Sequence, residues 1–376
     1  MNPVDVSVIV PTYCEAENLP VLAPRVAAAL EQANLTFEIV IVDDNSPDAT
    51  PQVCAELAKQ FPVRLEVRTT ERGLSSAVIH GMKMASGEVF VVMDADLSHP
   101  PEQIPELVHS LKAGADFVIG SRYVRGGSTA EGWGLFRWLN STVATLLAWP
   151  LTSTRDPMAG FFALRRDTFA AAKHLDPIGY KIALELLVKC RCKNVRETPI
   201  HFENRLHGSS KLSFKEQINY LRHLKRLYEF KYGAMARLLQ FLIVGGTGMI
   251  VDLAFYILLL TWLPLGIARG GAIWVAMTWN FWLNRRITFS FARTRAIVPQ
   301  YLMFCLTCGL GAVVNWTTSI AAGSLLTIFV GRPLLAAVLG IIAGSIFNFI
   351  LCNTAVFHRA KPVSAVPSTP AALERV

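Results

Sequence analysis

The feature that most constrains this chain is a change of character near its middle. Four apolar segments follow Arg237, at about 238–262, 266–284, 301–325 and 333–353. Each is close to the ~20 residues that span a bilayer. In hydrocarbon every backbone N–H and C=O must be satisfied within its own segment, so stretches of this length fold as helices. Up to Tyr232 strand-like apolar runs alternate instead with polar and charged stretches. A chain of 376 residues has room for about two or three domains. The expected division is an α/β domain over 1–212, amphipathic interfacial helices and a linker over 213–237, an all-α domain of four transmembrane helices over 238–358, and a disordered tail over 359–376.

Flanking charge sets the expected orientation. Lys225, Arg226, Lys231 and Arg237 precede the first apolar segment, and Arg285, Arg286, Arg293 and Arg295 separate the second from the third. The other two loops carry only Arg269 and Arg332. Positive residues stay on the cytosolic side, which puts both termini and the first domain in the cytosol. The N-terminal MNPVDVSVIVPTY lacks the basic and long apolar regions of a signal peptide. A formal charge of +8 could point to nucleic acid, but the basic residues crowd beside the apolar segments, as expected next to an anionic lipid surface. No nucleic-acid partner is expected. Asp252 is the one carboxylate inside a span and reads either as part of a polar pathway or as a helix-packing group. NFWLNRRITF at 280–289 and NFILCNTAVF at 348–357 form an internal repeat, each ending an even-numbered helix.

Within the first domain, residues 6–10, 37–42, 63–68 and 89–93 read as strands, with Pro11 breaking the first. Helices are expected over 19–32, over 51–61 and within 73–86. Strands alternating with helices predict a mainly parallel, doubly wound sheet. Its ligand crevice lies at the carboxyl ends of the strands and gathers residues 11–15, Asp44 and residues 94–98 on one rim. There VFVVMDADLSHPP runs an apolar strand into two carboxylates one residue apart, Asp94 and Asp96. Two carboxylates suit Mg²⁺ or Mn²⁺, which completes its shell with waters and diphosphate oxygens. An Asx turn is the plain alternative. No G-x-G-x-x-G follows the first strand and no P-loop motif occurs, which disfavours a dinucleotide oxidoreductase and a P-loop NTPase. The seven cysteines show no paired ligand spacing, and Cys305 and Cys308 lie in an apolar run, so neither zinc nor disulfides are expected. His80, His99 and His109 share no ligand spacing; His99 alone is a candidate neighbour of the site.

Taken in order, SVIVPTYCEAENLP, IVIVDDNSPDAT, MDADLSHPP and GSRYVRGG resemble the family 2 glycosyltransferases of GT-A fold, and within them the dolichol-phosphate mannosyltransferases, from about residue 6 to 212. The resemblance implies a Rossmann-like GT-A domain and a nucleotide diphosphate sugar bound by Pro11, Tyr13, Glu15, Val42, Asp44, Asp94, Ala95, Asp96 and Arg122. It implies a metal held by Asp94 and Asp96, with Ser98 as a further ligand where some relatives carry Gln. Arg205 and Lys211 match an R-x-x-G-x-S-K loop whose cations close over the diphosphate. Arg137 and Ser141, four apart in the Trp-flanked amphipathic stretch 133–151, would bind the acceptor's phosphate. Asp156 stands where related enzymes place a candidate catalytic carboxylate; otherwise it caps the segment before Phe161 or orients an arginine. The membrane half is similar to the GtrA-like domain of some of these transferases.

Two further helices carry expectations. Residues 214–230 are amphipathic and basic, with Tyr220, Leu221, Leu224, Leu227 and Tyr228 on one side, and should lie along the bilayer or, failing that, dock on protein. Residues 179–190 read as a helix with Lys181 and Glu185 at i and i+4. The function implied is an integral-membrane, inverting hexosyltransferase moving mannose from GDP-mannose to a dolichyl or polyprenyl phosphate at the cytosolic face. The rivals are a UDP-glucose-dependent glucosyltransferase and a lipid-linked sugar translocator.

Overall fold

The computed structural model describes residues 4–130, 135–203, 214–326, 328–329 and 333–358. The chain divides into two compact units, Met1–Lys231 and Tyr232–Val376.

The first unit opens with β1 (Val6–Thr12), α1 (Leu19–Gln32), β2 (Phe37–Asp43), α2 (Thr50–Leu57), β3 (Val63–Val67), α3 (Leu74–Met84) and β4 (Val89–Val92). It continues with α4 (Ile104–Lys112), β5 (Phe117–Ser121), β6 (Ser128–Thr129), α5 (Leu135–Ala148), β7 (Phe162–Arg165), α6 (Arg166–Ala170), α7 (Ile182–Lys189), β8 (Val195–Pro199), β9 (His201–Phe202) and α8 (Phe214–Tyr232). Seven strands form one sheet in the order β3-β2-β1-β4-β7-β5-β8, while β6 pairs β9 separately. Pairing in the large sheet is parallel except around β7, which is antiparallel to β4 and β5.

The central strands are apolar on both faces because both faces are covered. Leu22, Val26 and Leu30 of α1, Cys54 of α2 and Leu107 and Leu111 of α4 pack on one side. Val78 and Met82 of α3 and Leu186 of α7 pack on the other. Pro11 does not break β1, contrary to expectation: it pairs with Val42. The ladder on the β4 side already ends at the Met93 N–H to Ile9 carbonyl bond, 3.2 Å, so the missing proline donor costs little.

In the same region the apolar side of helix α8 packs on protein. Leu224 and Leu227 are buried against Ala148, Leu151, Leu184 and Val188, the Tyr220 and Tyr228 hydroxyls donate to the Ala144 and Leu147 carbonyls at 2.6 and 2.8 Å, and of that side Leu221 stays exposed. The docking alternative is the one realised, because α5 and α7 present a complementary apolar groove. Lys181 and Glu185 do not pair: Lys181 stands at the N-cap position of α7 without a side-chain cap bond, and its ammonium lies 4.5 Å from the Tyr180 ring centre. Glu185 instead takes Lys189 at 2.6 Å and the buried His223 of α8 at 2.7 Å.

The second unit contains α9 (Ala234–Leu259), α10 (Leu265–Leu283), α11 (Ile297–Leu325) and α12 (Pro333–Leu351). Three stretches among the described residues are long and apolar enough to cross a membrane: Ala234–Leu259, Ile297–Leu325 and Leu335–Val356. Helix α10 forms at the expected place but is not among the three, its apolar residues being interrupted by Arg269, Asn280, Trp274, Trp279 and Trp282. The hairpins α9–α10 and α11–α12 repeat one construction. The Asn280 amide oxygen occupies the place where a Cβ on Gly248 would stand, and Asn348 does the same to Gly311. Each even helix then ends in a π-helical turn, Asn284–Thr288 and Cys352–Val356. The phenylalanines that follow, Phe289 and Phe357, stack at 4.7 Å. Asp252 is a helix-to-helix group, accepting from Arg269 at 2.7 Å.

Candidate active site

Parallel pairing brings the carboxyl ends of β2, β1 and β4 to one edge. Pro11 faces Val42, and Ile9 faces Val92 two residues before Asp94. Residues 11–15, Asp44 and the residues after β4 are thereby brought to one rim. Tyr13 stands there 41% exposed with the Arg72 guanidinium 5.6 Å over its ring. The Glu15 amide donates to Thr50 Oγ1 at 3.0 Å, and its carboxylate accepts from Asn18 at 2.7 Å. Asp44 is buried, with Oδ1 taken by the Arg68 guanidinium and Oδ2 accepting the Gly73 N–H at 2.7 Å. Arg68 and Arg72 are absent from the sequence reading: no motif flags them, because each acts through a partner far away in sequence.

The Asp94–His99 turn is held from within. Leu97 takes a positive φ of 62°. Ser98 is fully buried, and its N–H and hydroxyl both donate to Asp96 Oδ1, at 3.1 and 2.5 Å. Ser98 therefore orients the Asp96 carboxylate. Ala95 is buried and Asp94 partly exposed. A Cβ on Gly160 would stand 3.1 Å from both Asp94 Oδ2 and His99 Cε1, so only glycine leaves room beside the carboxylate without forcing a shift. Among the described residues no three His, Cys, Asp or Glu side chains gather to enclose a metal. Two carboxylates at a crevice edge fit a hard cation that takes its remaining ligands from substrate and water. His99 is buried between the Phe161 and Phe202 rings, and burial holds its pKa below the ordinary value, so the ring is neutral.

Across the turn, Asp156 is completely buried and holds Arg122. Burial opposes the Arg122 charge, but the bonds from Asp156 outweigh it and keep its pKa above the ordinary value. The Asp156 and Arg155 N–H groups donate to Glu197 at 3.0 and 2.9 Å, which fixes the segment that carries Asp156. Of the sequence readings for Asp156, the geometry matches the arginine-orienting one. Lys181 is a third residue beside the site that motif reading missed. Burial and the nearby Arg122 charge push its pKa down to about 8 against the pull of Asp156 and Asp94.

On α5, Ser141 Oγ lies 2.9 Å from the Tyr123 hydroxyl. An open cavity of about 500 Å³ lies alongside, lined by Tyr123, Thr142, Thr145, Leu146, Trp149 and Arg155. Arg137 belongs to α5 by its backbone. Its side chain, Arg205 and Lys211 lie outside the described residues, as does the tail.

A mainly parallel sheet with paired carboxylates at the carboxyl edge of its central strand, followed by apolar spanning helices, defines a membrane-bound GT-A glycosyltransferase. Residues 7–171 match the family described as Glycosyl transferase family 2, and residues 240–357 the GtrA/DPMS transmembrane domain. The chain is 45% identical over 316 residues to a dolichol-phosphate mannosyltransferase of Pyrococcus furiosus, covering 83% of this chain and 88% of that one. It is 44% identical over 241 residues to the dolichol-phosphate mannosyltransferase of Saccharomyces cerevisiae, covering 61% of this chain and 90% of that one. The chain belongs to the dolichol-phosphate mannosyltransferase family: it is a membrane enzyme that makes polyprenyl-phosphate mannose. Similar solved structures include glucosyl-3-phosphoglycerate synthase of Mycobacterium tuberculosis, with TM-score 0.45 and 17% identity over 61% of this chain and 80% of that one. Mannosyl-3-phosphoglycerate synthase of Rubrobacter xylanophilus gives TM-score 0.45 and 20% identity over 60% and 74%.

Proposed function

We propose that the donor is GDP-mannose, bound across the β2-β1-β4 edge, and that transfer to a polyprenyl monophosphate inverts the sugar's anomeric carbon at the cytosolic face. The observation that carries this reading is the placement of Asp94 and Asp96 at the end of β4, on the same rim as an Arg122 held by Asp156. Pro11, Tyr13, Glu15, Val42 and Asp44 would line the base and ribose pocket, with Tyr13 offering a ring face and the carboxylates accepting hydrogen bonds from hydroxyls. Asp94 and Asp96 would hold Mg²⁺ or Mn²⁺, with Ser98 steadying Asp96, and that ion would supply charge neutralisation of the departing diphosphate.

The acceptor brings its own nucleophile. A phosphate monoester has its second pKa near ~6, so at neutral pH its oxygen attacks without a strong base. In-line attack forms the new C1–O bond as the C1–O bond to the diphosphate breaks, and the diphosphate leaves as an anion. Arg137 and Ser141 would place the attacking phosphate, Arg122 the sugar side of the diphosphate, and Arg205 with Lys211 would meet the leaving charge. Helix α5 supports a membrane-facing acceptor side, since Leu139, Val143, Leu146, Leu147 and Trp149 form one exposed apolar face. The basic loop holding Arg285, Arg286, Arg293 and Arg295 supports cytosolic termini and, with α10 counted as a fourth span, an even number of crossings. The deciding experiment is turnover of the purified protein with GDP-mannose or UDP-glucose and a polyprenyl phosphate. A β-linked mannosyl phospholipid formed from GDP-mannose alone is expected; a product from UDP-glucose alone overturns the donor assignment.

A further inference from the structure

His99 has no role in the transfer just described, yet it is the most deeply engaged side chain beside the paired carboxylates. Its Nδ1 accepts the backbone N–H of Asp94 at 3.1 Å. An amide N–H only donates, so Nδ1 carries no proton and the ring's proton sits on Nε2. The ring is clamped as well: it stacks on Phe161 at 5.4 Å with an 18° interplanar angle and meets Phe202 edge-on at 5.4 Å. Phe202 in turn lies 5.2 Å beneath the Arg122 guanidinium, and the next residue, Glu203, donates its N–H to the Ser98 carbonyl at 3.1 Å. Gly160 closes the remaining side.

We propose that His99 is a positioning residue for the metal-binding carboxylate Asp94, fixing its backbone through Nδ1 and tying it through Phe202 to the platform that carries Arg122. The strand ladder ends at Met93, whose N–H bonds Ile9, so the Asp94 amide is the first donor beyond the sheet and needs a partner of its own. A polar ring supplies that partner without water, and the two phenylalanines prevent it from turning away. The two charged ends of the donor site, Asp94 and Arg122, thereby share one rigid aromatic support.

This inference rests on Asp94 binding the ion, and its test separates the two statements. Mn²⁺ affinity of the full-length protein in detergent is measured by electron paramagnetic resonance with GDP or UDP present, together with Tm, for wild type, Asp94→Asn, His99→Asn and His99→Phe. Asparagine keeps an acceptor near the Nδ1 position but loses the stack; phenylalanine keeps the stack but loses the acceptor. His99→Phe should weaken Mn²⁺ binding by about 10-fold, the scale of outer-shell substitutions, while remaining at least as heat-stable as His99→Asn. His99→Asn should bind Mn²⁺ nearly as wild type does. A merely structural histidine predicts that affinity follows Tm across both variants, and that result, or wild-type affinity in His99→Phe, overturns the proposal. If Asp94→Asn binds Mn²⁺ as wild type does, the metal assignment fails and the proposal falls with it.

Discussion

Asp156 grips Arg122 at two points: Oδ1 accepts from Nη2 at 2.7 Å, and Oδ2 accepts from Nε at 2.8 Å and from the Arg122 backbone N–H at 3.1 Å. A carboxylate so engaged is poorly placed to take a proton from substrate. Asp156→Asn should therefore act through Arg122, raising KM for the nucleotide sugar while the pH profile of kcat keeps its shape. Asp156→Ala leaves a buried guanidinium uncompensated and should cost about 3 kcal/mol of stability. Steady-state kinetics over pH with thermal melts check both; an acid limb lost from the kcat profile of Asp156→Asn would restore the catalytic-carboxylate reading.

Removal of the paired carboxylates gives a second expectation. Asp96→Ala should abolish transfer, and chelator should silence the wild type until Mg²⁺ or Mn²⁺ is returned. Undiminished turnover by Asp96→Ala in EDTA would sink the metal role.

The acceptor side is tested by kinetics on α5. Arg137→Ala should raise KM for the lipid phosphate more than KM for the nucleotide sugar, because it removes a contact to one substrate only. Tyr123→Phe, which takes away the hydrogen bond to Ser141, should do so more weakly. An unchanged acceptor KM in Arg137→Ala counts against the assignment.

Docking of α8 should depend on pH. Burial of Glu185 opposes its ionisation, but bonds from His223, Lys189 and the Asp176 N–H outweigh it and hold its pKa below the ordinary 4.5. A carboxyl whose folded pKa is depressed binds fewer protons folded than unfolded. Its stabilisation is complete above about 4.5 and is lost as pH falls through the folded value. Glu185→Gln should flatten the acid limb of a Tm-versus-pH curve and lower Tm at neutral pH; an unchanged limb would refute the link.

Truncation after Tyr232 addresses the division between the units. Every described residue assigned to donor, metal or acceptor lies in the first unit, so the truncated protein should glycosylate a short, detergent-dispersed polyprenyl phosphate and bind liposomes weakly through α5. A well-folded but inactive fragment would place part of the active site on the membrane helices.

What the sequence disclosed followed the range of each signal. The runs around β1, β2 and β4 and the carboxylates after them were legible because a strand and its terminal Asp are neighbours in sequence. The insertion of the antiparallel β7 between β4 and β5 was not, since a four-residue strand takes its meaning from partners 43 to 76 positions away. Amphipathicity located α8 but left its partner open, because a bilayer and an α5–α7 groove ask for the same stripe. Arg68 and Lys181 escaped as site residues because each is engaged by burial beside a charge, which no spacing reveals.

The repeated hairpin of the membrane unit has diverged where the two copies are sealed. Four residues after each notch glycine stand Asp252 and Asn315. Asp252 reaches across to Arg269 as an ion pair, whereas Asn315 is met by the close approach of Gly340 and Gly344. One copy is thus closed by charge and the other by fit. Conditions that weaken electrostatics act on the first and leave the second, so one repeated shape carries two different sensitivities.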